Sequence, residues 1–370
     1  MRLSAAQHAA VRDIEAICAG EADSRMLRQR AAARLSRLIH WDAACFATVD
    51  PWTLLITDDY LWNIPPAMRA QAAHNEYLIE DVYKIAELAR SGTVVGILSQ
   101  APRELQETSH RLRTVLPAKG ARWEARTVCL ADGQCWGALA MYRNGSAPDF
   151  SPADATLLHA VSAPLAAGLR RTAHRSSAGA GIRPGPGVLI LGPRNQTLAV
   201  SDTARQWLDE LTPLPSRPGG DLPNVIHQVA ARVQARLADP QQPDPAPRAS
   251  RTPEPYSRVQ TQSGRWVAIH GSPIDSGLTP GKDTAVVIEA APVSDIAEML
   301  MLAYGLTRRE RQVLQRVIAG IPSSAIATQL HISVNTVQDH LKALFAKVGV
   351  RSRGQLVARV LGEHYLPDSG

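Results

Sequence analysis

Between Leu306 and Leu361 four helical patterns follow one another with almost no chain left for loops. Thr307 precedes an apolar-periodic run and Glu310 stands three residues on, so hydroxyl and carboxylate can each take an orphan backbone N–H of a helix N-terminus. Val313, Leu314 and Val317 share one face of that run, and Gly320 supplies its stop. A second short helix is expected from Ser323 to Leu330, turning Ile326, Ala327 and Leu330 inward. Ser333 caps a third helix, and Ser352 caps a fourth as another box with Gln355.

The third helix constrains function. Val337, Leu341, Leu344, Phe345 and Val348 recur at i, i+4, i+7, i+8 and i+11 and form a buried stripe. The opposite stripe, Asn335, Gln338, Asp339 and Lys342, has no apolar side chain and carries groups able to read base edges. A short helix, a tight turn and a second helix with a polar outer face describe a helix-turn-helix, whose second helix enters the major groove. Charge agrees: residues 306–362 hold nine Lys/Arg against Glu310 and Asp339, a net +7, while the whole chain is +6. The basic character belongs to this end alone, as expected if only this end meets phosphate.

The stretch resembles the LuxR-type helix-turn-helix. It carries that family's Leu306-Thr307, Arg309-Glu310, Val313-Leu314, Gly320, Ile326-Ala327, Leu330, Ile332-Ser333, Thr336-Val337, His340, Lys347, Gly349-Val350 and Arg351-Ser352-Arg353 at fixed spacing. The resemblance implies an all-α, four-helix DNA-binding domain that pairs through its last helix on a two-fold operator, hence a homodimer on double-stranded DNA. In that setting Ser333, Lys347, Arg351 and Arg353 would hold phosphates, and Asn335, Thr336, Gln338, Asp339 and Lys342 would face the groove. Gln can pair bidentately with adenine and Asp can accept from cytosine. His340 has two readings, near phosphate or at the edge of the domain core, and the second is preferred. Two positions depart from the family: Pro322 replaces the usual Ser/Thr cap of the second helix, and Ala325 replaces a usual Glu. Gln338 and Asp339 also differ from the basic residue and Asn or Val of many relatives, which leaves the operator sequence open.

At 370 residues the chain has room for two or three domains, and 45% hydrophobic with 20% charged residues is the composition of a folded soluble protein. No apolar run approaches the roughly 18 residues that span a bilayer, and the first residues lack the apolar core of a secretion signal. Four cysteines argue against a disulfide scaffold. The expectation is a cytoplasmic protein with no membrane partner. His74-Asn75-Glu76 has no metal spacing, and no nucleophile–base pair or nucleotide loop is evident, so neither cofactor nor enzyme is expected.

Taken in order, the chain reads as a helix over 26–39, strands Ala44–Val49 and Leu54–Thr57 about an Asp50-Pro51 turn, a helix over Glu76–Arg90, a strand Val94–Leu98 and a helix Arg103–Val115. The strongest hairpin signal follows: Ala121–Ala131, Asp132-Gly133, Gln134–Tyr142. Ser151-Pro152 opens a closing helix to about Arg171. The order, with Trp41-Asp42-Ala43-Ala44 and Cys135-Trp136-Gly137-Ala138-Leu139, is similar to a GAF-like α+β sensor. A Gly/Ser/Ala/Pro-rich stretch reads as a linker. Strands Val188–Leu191 and Thr197–Val200, helices Ser201–Leu211 and Asn224–Leu237, and strands Ser257–Thr261, Arg265–Gly271 and Thr284–Ala290 are similar to a PAS-like α+β domain. A helix Ser294–Tyr304 joins it to the C-terminal unit. The expected organisation is therefore multidomain: a GAF-like domain with N-terminal helices over 1–172, a linker over 173–186, a PAS-like domain over 187–292 with a Pro-rich insertion over 239–255, a connecting helix over 293–305, and the helix-turn-helix over 306–370.

Pairing across the Asp132-Gly133 turn sets Leu130 against Cys135 and Cys129 against Trp136, which puts Trp123, Thr127, Cys129, Trp136, Ala138, Ala140 and Tyr142 on one face. Small residues between large ones leave room either for a small-molecule ligand, held by Trp123, Thr127, Cys129, Trp136 and Tyr142, or for a closely packed helix, the commoner arrangement. Cys129 and Cys135 fall on opposite faces and read as core thiols. The whole reads as a bacterial transcription regulator whose N-terminal domains sense a signal; the alternative makes those domains a dimerisation or interaction platform with no small ligand.

Overall fold

A computed structural model describes residues 3–65, 68–118, 120–173, 184–211, 222–240 and 255–362. Most of the linker over 173–186 and of the Pro-rich insertion over 239–255 lies outside the described residues. Two compact units result: one holds both β-sheets and their helices, and the other runs from Ala291 onward.

The first sheet and its helices are α1 (Ala5–Gly20), α2 (Ser24–Leu35), β1 (Ala43–Val49), β2 (Ile56–Trp62), α3 (Arg69–Tyr77), α4 (Ile85–Ser91), β3 (Val95–Ile97), α5 (Arg103–Thr108), α6 (Leu116–Ala118), β4 (Trp123–Ala131), β5 (Gln134–Arg143) and α7 (Pro152–Thr172). The strands pair in the order β2-β1-β5-β4-β3, every neighbour antiparallel. On one face α7 crosses β4 and β5 and packs against α1. Ser151 Oγ accepts from Asp154 N at 3.1 Å, and Asp154 Oδ2 accepts from Ser151 N at 2.8 Å, so α7 starts at its Ser-Pro signal.

Several segments differ from their sequence expectation for local reasons. The helix α1 has no counterpart in it, although Ser4 and Gln7 form a full capping box. The strand expected at Leu54–Thr57 begins later and runs longer. Asp50 Oδ1 accepts from Trp52 N at 2.9 Å and Leu54 sits at φ 56°, so the turn consumes the first apolar residues. One helix over Glu76–Arg90 becomes two. The buried Glu76 carboxylate, near the end of α3, accepts from Ile85 N, the first donor of α4, at 2.7 Å, and Tyr83 between the two helices is left-handed at φ 55°. The helix expected over Arg103–Val115 likewise divides, with α5 stopping at Thr108 and a single π turn over Arg111–Val115.

The second sheet comprises β6 (Gly187–Leu191), β7 (Thr197–Val200), α8 (Asp202–Leu211), α9 (Asn224–Ala238), β8 (Tyr256–Gln260), β9 (Trp266–Ile274) and β10 (Asp283–Ala290). Its strand order, β7-β6-β10-β9-β8, repeats the topology of the first, again antiparallel throughout. The helix α9 is buried almost all round, because β8, β9 and β10 cover one side and α3 and β2 of the first sheet cover another. Leu55, Ala73 and Tyr77 accordingly join the same apolar cluster as Trp207, Val229 and Ile269.

The C-terminal unit is all-α: α10 (Val293–Ala303), α11 (Arg308–Ile318), α12 (Ser323–Leu330), α13 (Val334–Val348) and α14 (Arg353–Val357), the last continuing as a π turn over Ala358–Gly362. Leu306, Val313, Leu314, Val317, Ile326, Ala327, Leu330, Val337, Leu341, Leu344, Val348 and Leu356 belong to its core; the stripes expected of α11, α12 and α13 are among them, except that Phe345 is only partly buried against the cluster.

Candidate nucleic-acid interface

Local chemistry builds the interface. Thr307 and Glu310 form the expected capping box on α11: Thr307 N donates to Glu310 Oε2 at 2.7 Å, and Glu310 N to Thr307 Oγ1 at 3.2 Å. Helix α12 forms behind Pro322 with no side-chain cap. The turn between α12 and α13 is made by His331 at φ 54°, a left-handed residue that is not glycine. Arg309 Nη2 closes the carbonyl end of α12 by donating to Leu330 O at 2.7 Å. Ser333 Oγ accepts from Thr336 N at 3.0 Å and caps α13. Ser352 Oγ does the same for Gln355 N at 3.2 Å. The second box is not formed, however, because Gln355 Oε1 reaches one residue further back, to Arg351 N at 2.9 Å.

Of the groove-facing candidates, Asn335, Gln338, Asp339 and Lys342 are exposed on one side of α13. Lys342 Nζ lies 3.4 Å from Asp339 Oδ1. Thr336 differs: it is half-buried and its hydroxyl bonds Ser333 Oγ at 2.8 Å. His340 is half-buried and outside the core cluster of the domain. Among the phosphate candidates Ser333, Lys347 and Arg351 are exposed and Arg353 is half-buried, and Lys347 and Arg353 are already hydrogen-bonded within the domain. Lys347 Nζ donates to Glu310 Oε2 at 2.7 Å and to Gly305 O at 3.1 Å, and Arg353 Nη2 donates to Ile321 O. Burial alone would push the Glu310 carboxyl up, but hydrogen bonds from Lys347 and from Thr307 outweigh it and hold it below its ordinary value. The sequence reading passed over Val334, which follows the cap and leaves an apolar side chain 44% exposed beside Asn335. An exposed valine at the start of such a helix can meet a thymine methyl; its signal was its place one turn before Gln338.

The expected ligand face of the hairpin is corrected by a β-bulge. Asp132 and Gly133 take φ 52° and 73°, the two-residue turn that was expected, and Leu130 faces Cys135. The register then shifts, so that Cys129 faces Gly137 rather than Trp136 and Glu124 faces Tyr142. Trp123, Thr127 and Cys129 therefore share a face with Leu139 and Met141, while Tyr142, Ala138 and Ala140 lie on the other with Arg126 and Val128. Trp123 is held at the margin, its Nε1 donating to Ala147 O at 3.0 Å. Of the five ligand candidates only Thr127 and Tyr142 border a cavity, of about 80 Å³, between the first sheet and α3, α4 and α9. Trp136 and Cys129 are buried away from it. Burial pushes the thiols of Cys18, to about 11, and Cys135, to about 12, and raises that of Cys129 as well, so all three are poor nucleophiles near neutral pH.

Residues 304–360 match the family model of bacterial regulatory proteins, luxR family. The chain is 34% identical over 112 residues to the transcriptional regulatory protein FixJ of Rhizobium meliloti (strain 1021), covering 27% of this chain and 54% of that protein. It is 35% identical over 77 residues to the probable transcriptional regulatory protein NarL of Mycobacterium tuberculosis (strain ATCC 25618 / H37Rv), covering 21% of this chain and 32% of that protein. The chain thus spans about half the length of the first relative and a third of the second. Escherichia coli SdiA, a solved structure, aligns over 97% of this chain and 99% of its own at 12% identity and a TM-score of 0.34, a likeness too low to carry an argument. The C-terminal four-helix domain is of the LuxR type.

Proposed function

We propose that this chain is a cytoplasmic, DNA-binding transcriptional regulator. The observation that carries the reading is the outer stripe of α13, where the polar Asn335, Gln338, Asp339 and Lys342 stand exposed with Val334, on a domain of the LuxR type. Such a face suits the major groove, and the exposed Arg351, which follows α13 in the chain, suits phosphate. The reading extends to a homodimer on a two-fold operator, with the two antiparallel sheets as GAF-like and PAS-like sensory domains that alter the reader when a signal binds. It includes no catalytic step. Among the described residues no helix is long and apolar enough to cross a membrane.

The alternative, in which the sheet domains serve only as an interaction platform, needs a filled interior; the cavity under α9 weighs against it. The test is selection of duplexes from a random pool by the full-length chain, followed by anisotropy titrations of the winners at several salt concentrations. A two-fold site with half-sites about one helical turn apart, and affinity falling steeply with salt, is the expected result. Failure to enrich any sequence over random DNA would remove the reading.

A further inference from the structure

The cavity in the first compact unit has a floor of small residues. Cys45 and Ala47 of β1 face Ala140 and Ala138 of β5 across the ladder. Its volume of about 80 Å³ is several times the roughly 10–15 Å³ that holds one water. The roof is not local: Asn224 and Gln228 come from α9, which belongs to the second sheet. These two are wired into the wall. Gln228 Nε2 donates to Asn224 Oδ1 at 2.7 Å, and Asn224 Nδ2 donates to Asp59 Oδ2 at 3.0 Å. Asp59 is in turn bound by Arg69 Nη2 at 2.7 Å.

The charges lining this space are answered within the protein. Asp59 is paired with Arg69, and Arg126 donates to Glu76 at 2.9 Å and to Glu124 at 2.8 Å. A charged ligand would have to be desolvated against an apolar wall with no counter-charge left to meet it. Among the described residues two buried polar atoms of the lining residues have no hydrogen-bond partner, Thr127 Oγ1 and Gln228 Oε1. Thr127 lies on the opposite sheet face, with Cys129, so the atom of the roof is Gln228 Oε1, on a residue only 1% exposed. A buried acceptor left unpaired costs free energy that a donor from a bound molecule would return.

We infer that this cavity is a binding site for a small uncharged organic molecule bearing a hydrogen-bond donor, read by the Gln228 amide oxygen. The inference rests on the sensory part of the proposed function, and it makes the second sheet domain, not the first alone, responsible for specificity. A ligand there touches β1, β5, α3 and α9 at once, so its binding free energy is shared by both sheet assemblies.

The test uses the full-length chain with three probes of similar size: phenol, which carries a donor; anisole, in which the donor is methylated; and benzoate, which is charged. Binding is followed by ligand-observed NMR and calorimetry. Phenol is expected to bind more tightly than anisole by roughly tenfold, as one buried hydrogen bond allows, and benzoate is expected not to compete. Gln228→Met should erase the phenol preference. Ala140→Leu, which fills the floor and leaves the α9 network intact, should abolish binding of both neutral probes while the thermal transition is retained. Equal affinities for phenol and anisole, unchanged binding in the filled variant, or no binding of any probe would each overturn the inference. Operator binding measured without probe separates the two ideas. A chain that binds its operator but no probe loses the site and keeps the regulator, while probe binding with no DNA binding does the reverse.

Discussion

Residue by residue, the basic side chains of the C-terminal domain divide into those that hold the domain and those that are presented outward. Gln338 is exposed on α13, and a bidentate contact from it would discriminate at one base pair. Gln338→Ala should therefore relax specificity at a single operator position, by about 1–3 kcal/mol against the preferred base, while leaving binding to random DNA unchanged. Equal loss on operator and random duplex in anisotropy titrations would contradict that. Arg351→Ala should behave in the opposite way, weakening all sequences alike and reducing the salt slope by about one. Lys347 and Arg353, which the sequence alone assigned to phosphate, are less suited to such tests, because their side chains already bind Glu310 and the carbonyl of Ile321. Glu310 gives a prediction of its own. Its folded pKa lies below the unfolded value, so its stabilisation is complete above the unfolded pKa and is lost as pH falls through the folded one. Thermal melts of wild type and Glu310→Gln should accordingly differ most at neutral pH and converge as the pH drops below about 4. A gap that persists in acid would mean that the carboxylate charge is not what stabilises this helix start.

For the elements, β5 shows how a single position sets the layering of a sheet. Gly137 pairs with Cys129 just beyond the bulge, and a Cβ there would stand 2.5 Å from Leu169 Cδ1 and 2.7 Å from Ala47 O. The oxygen belongs to the backbone and cannot swing aside, so Gly137→Ala should force α7 or β1 to move and destabilise the chain by about 1–3 kcal/mol. A chemical-denaturation midpoint equal to wild type would show that α7 can give way freely. The same strand marks the limit of what the sequence discloses. The Asp132-Gly133 turn, both hairpin strands, and the helices at 323–330 and from Ser333 were legible, because turn chemistry, capping residues and apolar periods are local signals. The bulge was not, because strand alternation carries no mark of one extra residue, and it moved Tyr142 to the face opposite Trp123 and Cys129. The small floor of the cavity was half legible, in Ala138 and Ala140. Its other half, Cys45 and Ala47, arrives by the pairing of β1 with β5, and its roof from residues far along the chain. The break at Glu76 escaped for the same reason: its carboxylate caps a helix nine residues on, an interaction that apolar periodicity does not encode.

For the molecule, the two sheets repeat one strand order yet share an interior, so within that unit neither is an independent body. The least exposed evidence of this is ionic. Asp50, 1% exposed in the turn before β2, accepts from Arg258 N and Nε at 3.1 and 3.3 Å and from Arg258 Nη2 at 3.1 Å, and Arg258 on β8 is 4% exposed. Two charges so far from water hold each other's desolvation in check, and removing either leaves the other uncompensated. Asp50→Ala should thus destabilise the full-length chain by about 3–5 kcal/mol, far beyond what a surface pair would contribute. The discriminating measurement is the double variant Asp50→Ala/Arg258→Met. With no charge left buried it should recover much of the loss, since apolar groups of similar volume commonly replace such a pair at little cost. If the losses of the two single variants simply add in the double, the pair is not a coupled unit and the sheets must be joined by apolar packing alone. If the double recovers, the coupling that fixes α9 over the first sheet is partly ionic, and any molecule that enters the cavity beneath α9 must bind against a roof whose position this pair helps to set.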